Sequence, residues 1–432
     1  MCQLFATVIF FQFRRIAPLR YSPFRNSINQ IKQQLNLRGE NWMKRIALSS
    51  LSLAILAASG AAHAQSSVTL YGVIDESIQW VHNDQNAAGQ NKNLVGLYAG
   101  NISGDRFGLK GTEDLGGGLK AIFQLENGFN VNNGTLGQGG LMFGRQAYVG
   151  LTHEQFGTVT LGRQYDPLVD MVQPLTADNY FGSTFTTPGD VDNNDNSSRT
   201  NSGVKYVSPV LSGFQFEGMY ALGGVAGATG SGQSWGAAAT YGIGSFNVAA
   251  GYFRMDNSSN PAQRDNGWAS NATSGAMFDS QINNAYASAK SIGNASVAAQ
   301  YVAGPFTFGV RYANVQYKPD AYSAFQSTER YNVAGGFFGY QVNPALLLGL
   351  GYIYTHGAGD TSASYNQVSL GADYNLSKRT DLYALAAYQH ANGTQRVDAT
   401  TTDTAGASIG SYGYNSASSS QEIVSLGIRH KF

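Results

Sequence analysis

Apolar and polar residues alternate along this chain with a period of two, not 3.6. Val68, Leu70, Gly72 and Ile74 share one face of a run whose other face is Thr69, Tyr71, Val73 and Asp75. The pattern recurs in Phe107/Leu109 against Arg106/Lys110, in Leu119/Ala121/Phe123/Leu125 against Lys120/Gln124/Glu126, and in Val424/Leu426/Ile428 against Ser425/Gly427/Arg429. Alternating runs of about ten residues separated by turn residues are the signature of a transmembrane β-barrel. A soluble sandwich with one wet face is the competing reading. Short turns fall at 114–118, 153–157, 209–213, 242–244, 303–305, 343–344 and 376–378. Longer Asn/Ser/Gly/Asp-rich stretches, such as 83–103, 256–281 and 392–420, lie between them. Seven short turns join fourteen strands; a first strand from Val68 and a last one ending at Phe432 bring the count to sixteen. A closed antiparallel barrel of that size encloses an aqueous lumen, whereas eight strands would be filled by side chains.

Composition sharpens this picture. Charged residues are 12% of the 432, about half the usual share, while Gly (53), Tyr (25) and Phe (23) are abundant. Mean hydropathy is only −0.21, so Asn, Ser, Thr, Gln and Gly have replaced the charges. A helical membrane bundle needs runs of about 20 apolar residues, and a disulfide scaffold needs more than the single Cys2.

The net charge of zero is misleading. Lys44-Arg45, the apolar run Ile46 to Ala58, and Ala62-His63-Ala64 read as a secretory signal peptide over 43–64, cleaved between Ala64 and Gln65. A transmembrane anchor would need a longer apolar run. Residues 1–42 then read as an upstream extension from a start codon set too early, with a functional pre-leader segment as the rival. Cleavage removes eight basic residues and one acid, leaving 65–432 with 19 basic and 26 acidic side chains, or −7. No basic patch for nucleic acid remains.

Among β structures, only a closed sheet leaves no backbone group unpaired in lipid. Charges on strands should therefore face the lumen, since Lys or Arg facing lipid at mid-depth costs ~2–4 kcal/mol. Arg106 and Lys110 share a face opposite Phe107 and Leu109; Arg145 begins a strand and Arg199 precedes one. Solvated loop-end charges are the plainer reading of these side chains. The 165–198 connection is the longest acidic one and carries Asp166, Asp170, Asp178, Asp190, Asp192 and Asp195. Trp80, Tyr148, Tyr252, Tyr312, Tyr352, Tyr354, Tyr388 and Phe432 lie near strand ends, as an interfacial girdle requires; an aromatic slide for sugars inside the lumen is the alternative. Phe432, closing an alternating strand, reads as the address for the outer-membrane insertion machinery. Gly406-Ala407-Ser408-Ile409-Gly410 fits the G-x-S-x-G of hydrolases but lies in a loop rather than on a strand-elbow-helix. Five histidines after residue 64 show no metal-ligand spacing, and no cofactor is implied.

The sequence resembles the general diffusion porins of Gram-negative bacteria, in the type common in beta-proteobacteria. The likeness is carried by Ser67-Val68-Thr69-Leu70-Tyr71-Gly72, by 106–116 from Arg106-Phe107-Gly108 to Asp114-Leu115-Gly116, by 143–151 and 156–164, by Tyr374-Asn375-Leu376-Ser377-Lys378-Arg379-Thr380, and by the closing Gly427 to Phe432. It implies a 16-stranded antiparallel transmembrane β-barrel, a homotrimer in outer-membrane lipid, and a third loop folded into each pore. Basic residues matched by Arg106, Arg145 and Arg199 line the constriction in that family; Lys110 and Lys120, read from the alternation of their strands, are further candidates for the pore wall. Loop acids, foremost Asp190 and Asp192, would face them; the enterobacterial Pro-Glu-Phe-Gly-Gly-Asp tip is absent here, so the acids do not carry over one by one. The expected function is a passive outer-membrane channel for small hydrophilic solutes and ions, weakly anion-preferring, and not an enzyme. A substrate-specific channel, a barrel-borne hydrolase and a closed structural or adhesive barrel are the alternatives.

Overall fold

A computed structural model describes residues 67–260, 278 and 280–432; the signal-peptide and upstream readings fall on 1–66, outside them. The chain forms a closed antiparallel barrel of sixteen strands. These are β1 (Ser67–Gln85), β2 (Asn91–Ala99 and Arg106–Gly116), β3 (Leu119–Gly128), β4 (Gln146–His153), β5 (Gly157–Gln164), β6 (Thr200–Val207), β7 (Phe214–Ala221) and β8 (Ser234–Ile243). They continue as β9 (Phe246–Asp256), β10 (Ser291–Ala303), β11 (Phe306–Lys318), β12 (Glu329–Asn343), β13 (Leu346–Ala358), β14 (Ser362–Asn375), β15 (Thr380–Arg396) and β16 (Ser420–Lys431). Each strand pairs with its sequence neighbours, and β1 closes on β16 from Val73↔Lys431 to His82↔Glu422. Phe432 completes the seam: its N–H donates to Gly72 O and Gly72 N–H to Phe432 O, both at 3.0 Å.

The seven short turns fall where the alternation breaks. At the first of them Gly116, Gly117 and Gly118 all have positive φ, a conformation open to glycine at little cost. Outside, the sheet is apolar: Val68, Leu70, Ile78, Leu97, Val310 and Leu426 are exposed. Their neighbours Val73, Asp75, Ser77 and Gln79 are buried on the lumen side. Of the expected girdle, Trp80, Tyr252, Tyr312, Tyr352, Tyr354, Tyr388 and Phe432 are exposed. Tyr148 differs. Its hydroxyl donates to Gln124 Oε1 at 3.0 Å, and its strand partner is Gln124, on the inner face.

The stretch 83–103 is largely strand rather than loop. β1 runs to Gln85, a short connection follows, and β2 begins at Asn91. β2 then breaks at 100–105 because Asp75 captures that segment. Its Oδ2 accepts the N–H groups of Ile102 (2.8 Å) and Ser103 (2.7 Å), and Gly100 N–H donates to Asp75 O (2.7 Å).

The third long connection, 165–199, folds into the barrel. Asp166 caps the short helix α1 (Pro167–Met171), its Oδ1 accepting from Leu168 N–H at 2.8 Å. The loop then crosses to the opposite wall, where α2 (Asp178–Phe181) delivers Phe181 and, beyond it, Phe185; both are buried. Their rings lie on inward-facing glycines. A Cβ at Gly349 would stand 2.1 Å from Phe181 Cε2, one at Gly371 2.6 Å from Phe181 Cδ1, and one at Gly351 2.7 Å from Phe185 Cδ1. Thr184 O accepts from Gln367 Nε2 (3.0 Å) and Ser369 Oγ (2.7 Å). Asp192 forms a buried ion pair with Arg311 of β11.

Two further connections join this layer inside the barrel. Ala405, Ala407, Ser408 and Ile409 are buried, and three inward glutamines on neighbouring strands hold their backbone. Gln389 Oε1 accepts from Ser408 N–H (2.7 Å), Gln421 Oε1 from Ile409 N–H (2.9 Å) and Gln367 Oε1 from Gly410 N–H (3.1 Å). Ile282 and Tyr286, between β9 and β10, are buried too, and Asn283 Nδ2 donates to Gly189 O at 3.1 Å.

Candidate functional site

Because these loops pack against β8–β15, the water-accessible lumen is displaced toward β1–β4. A cavity of about 730 Å³ lies there, and Arg106, Arg145 and Arg199 all line it, with Lys431 from the last strand. Strand geometry places each. Arg106 opens the second half of β2 on the inner face, across from Gly128; Arg145 immediately precedes β4 and its N–H donates to Glu126 O at 3.2 Å; Arg199 ends the inward-folded loop. Tyr165, where that loop starts, lies between two of them. The Arg145 and Arg199 guanidinium carbons are 6.0 and 5.8 Å from its ring centroid.

Glu126 sits at the centre of this basic cluster. Arg145 Nε is 2.9 Å from its Oε1 and Arg106 Nε 4.0 Å from its Oε2. The hydroxyls of Tyr71 (2.8 Å) and Tyr165 (3.0 Å) also donate to it. The alternation in β3 put Glu126 on the inner face, but its place among the arginines depends on partners 19 or more residues away and could not be read from spacing. One buried acid thus offsets part of the arginine charge and fixes the guanidinium planes.

Lys110 and Lys120 do not line this cavity. Lys110 lies over the Tyr71 ring, 5.2 Å from its centroid, and Lys120 is opposite Asp114 and Thr152 near the short-turn rim. Asp190 and Asp192 are also outside its lining. Asp190 serves its own loop, accepting the N–H groups of Asp195 (2.9 Å) and Ser197 (3.1 Å), and Asp192 is turned to the far wall by Arg311. The loop acids at the cavity are Asp170, Asp178 and Asp195. Asp170 is paired with Lys205, and Asp195 accepts from the hydroxyls of Ser183 (2.8 Å) and Ser411. Burial, reinforced by the neighbouring Asp195 carboxylate, holds Asp178 well above the usual carboxylate range. Burial with Asp195 and Asp192 nearby pushes Asp190 up to about 8.

Lys205, Arg311, Arg429 and Lys431 were not singled out as site residues in the sequence. The period-two pattern places Arg311 between the exposed Val310 and Tyr312, and Arg429 next to the exposed Ile428, so their inward facing was readable. Their partners were not: Arg429 joins Asp381 and Asp373, both at 3.1 Å, across three strands. Ser408 of the G-x-S-x-G run is buried, with Ser280 Oγ donating to its hydroxyl at 3.1 Å.

The family model for Gram-negative porins matches residues 49–394. An outer membrane porin protein of Bordetella pertussis is 33% identical over 387 residues, covering 80% of this chain and 94% of that one. Outer membrane porin protein 32 of Delftia acidovorans is 32% identical over 392 residues, covering 89% and 99%. Among solved structures, the anion-selective porin from Comamonas acidovorans superposes with a TM-score of 0.63 at 25% identity, covering 85% of this chain and all of that one.

Proposed function

The chain belongs to the Gram-negative porin family and forms an outer-membrane diffusion channel, and from that premise we propose that its pore prefers anions because of the arginine cluster beside Glu126. The observation that carries this is the imbalance around the 730 Å³ cavity. Of its four cations, Arg145 is matched by Glu126, while Asp170 is matched by Lys205 on the inner face of β6, outside the lining. Arg106, Arg199 and Lys431 add three positive charges to the wall, against Asp195 and an Asp178 carboxyl that burial and its neighbour hold well above the usual carboxylate range. Low-dielectric walls focus the field of such charges on the narrow lumen. Charges on outer loops, more than a Debye length of ~8 Å away, are screened. The −7 of residues 65–432 therefore does not set the preference. The experiment is a zero-current potential in a salt gradient across a planar bilayer; a potential of the cation-selective sign would overturn the reading.

Asp190, a buried carboxyl of the same loop outside the cavity lining, adds a dependence on pH. An acid held above its ordinary range is neutral below its folded pKa and gains charge as pH rises through it. Between pH 6 and pH 9 Asp190, at about 8, ionises, adding negative charge to the loop that faces the arginines. The expected result is a stronger anion preference at pH 6 than at pH 9. A ratio that is flat over this range, or rises with pH, would count against that carboxyl.

Assembly as a homotrimer in outer-membrane lipid, with Phe432 recognised by the insertion machinery, completes the proposal. Glu76 supports it. This acid stands on the outer face between the exposed Ile74 and Ile78, opposite Ile428. Facing lipid near mid-depth, a carboxylate is penalised, though less than the ~2–4 kcal/mol of Lys or Arg; against a second copy it is shielded from lipid. A cysteine at Glu76 should cross-link to a neighbouring subunit, and removal of Phe432 should lower the amount of heat-modifiable oligomer while export continues. Monomeric protein in both assays would remove the proposal.

A further inference from the structure

Five consecutive strands set a row of side chains along one side of the cavity. Arg106 opens the second half of β2, Glu126 lies near the end of β3, Arg145 precedes β4, Tyr165 follows β5 and Arg199 precedes β6; all five line the lumen. Around the wall their charges run positive, negative, positive, none, positive. The ladder registers give the fourth place to Tyr165. Ala147 faces Arg163 and Gln164 faces Thr200. Carried just past the ladder ends, these registers set residue 165 beside Arg145 on one side and Arg199 on the other.

An acid at that place would complete the alternation and pair with both guanidiniums. It would also cancel one of the charges that draw anions. A tyrosine attracts the same groups without a net charge, because a guanidinium within ~6 Å of an aromatic centroid is held by the negative face of the ring. Arg145 and Arg199 stand at 6.0 and 5.8 Å. The side chain is fixed at both ends. Its hydroxyl donates to Glu126 Oε1 at 3.0 Å, and Lys205 Nζ donates to the Tyr165 carbonyl oxygen at 3.3 Å.

We propose that Tyr165 is a specificity-determining positioning residue, a neutral counterpart that holds Arg145 and Arg199 at the lumen while leaving their charge to act on passing anions. The inference rests on the anion-preferring reading above. Without the ring face the two like charges repel and spread, and part of their field leaves the narrow lumen where low-dielectric walls concentrate it. Arg145 keeps Glu126 at 2.9 Å in either case, so the larger displacement is expected of Arg199.

The test compares the assembled parent with Y165F and Y165L in a planar bilayer, reading the zero-current potential in a salt gradient. Heat-modifiable migration matching the parent's shows that each barrel has folded. A unit charge near the lumen moves the anion-to-cation permeability ratio roughly tenfold, and a guanidinium turned aside loses part of that, so Y165L should lower the ratio about threefold. Y165F keeps the ring face and should stay within about twofold of the parent. In a channel already carrying R145S/R199S, Y165L has no guanidinium left to release and should leave the potential where it was. A Y165L channel with the parent's ratio overturns the proposal. So does a Y165F channel that falls as far as Y165L, which gives the role to the hydroxyl on Glu126, or an equal Y165L shift in the R145S/R199S channel, which makes it a packing effect. A parent that prefers cations fails the earlier reading instead, and the contrast between Y165F and Y165L then still reports whether the ring holds the arginines.

Discussion

Replacing Arg106 and Arg145 with serine is expected to turn an anion-preferring channel into a cation-preferring one. The two substitutions remove two positive charges from one wall, but their effect exceeds that count. Arg145 Nε is 2.9 Å from Glu126, and Arg106 is the acid's other cationic partner. Without them Glu126 faces the lumen as an unneutralised carboxylate, still accepting from Tyr71 and Tyr165. A unit charge ~10 Å from a passing ion at an effective dielectric of ~20 is worth ~1–2 kcal/mol, so the permeability ratio should move by roughly tenfold or more. The shift should shrink as salt rises, because screening shortens the reach of the charges. Glu126→Gln provides the control in the opposite direction, strengthening anion preference by a smaller amount, since it removes one charge where the double variant removes two; its amide oxygen can accept only one of the two tyrosine hydroxyls, which reach different carboxylate oxygens. A double serine variant with an unchanged reversal potential would place selectivity with Arg199 and Lys431 instead.

That experiment rests on residues whose facing was legible because a strand reports it every second position. Arg106 on the face opposite Phe107 and Leu109 had to point inward if those two faced lipid. The barrel itself was legible for the same reason, and the turns because glycine, Pro and Asn interrupt the alternation at regular spacing. Pairings between distant segments were not. Asp192 meets Arg311 from 119 residues away, so its acidity pointed to the arginine cluster while its partner stands on the opposite wall. Asp190 gave no sign that it would be consumed by the N–H groups of its own loop. Gln367, Gln389 and Gln421 looked like ordinary lumen amides; only the curvature of the barrel brings them side by side to bind the Ser408–Gly410 backbone. Tyr148 was misassigned to the girdle because an aromatic near a strand end satisfies either face.

The glycines beneath the inward loop carry the second large effect. Phe181 is fully buried, and Gly349 and Gly371 provide the space its ring occupies. Truncating a buried phenylalanine to alanine costs ~3–5 kcal/mol where the surroundings do not collapse. A barrel wall tied on both sides by its ladder has little freedom to do so. Phe181→Ala should therefore loosen the loop, seen as noisier and larger single-channel conductance and as cleavage within 165–199 by added protease. Gly349→Val should act similarly from the other side, since its Cβ would stand 2.1 Å from Phe181 Cε2 and displace the ring. The two changes should not add. With Phe181 shortened, the valine projects into the space the ring vacated, so the double variant should be quieter and more protease-resistant than either single one. Contacting residues in one cavity couple by ~0.5–3 kcal/mol in such cycles. Additive damage would mean that Thr184 on Gln367 and Asp192 on Arg311 hold the loop without help from the aromatic contact.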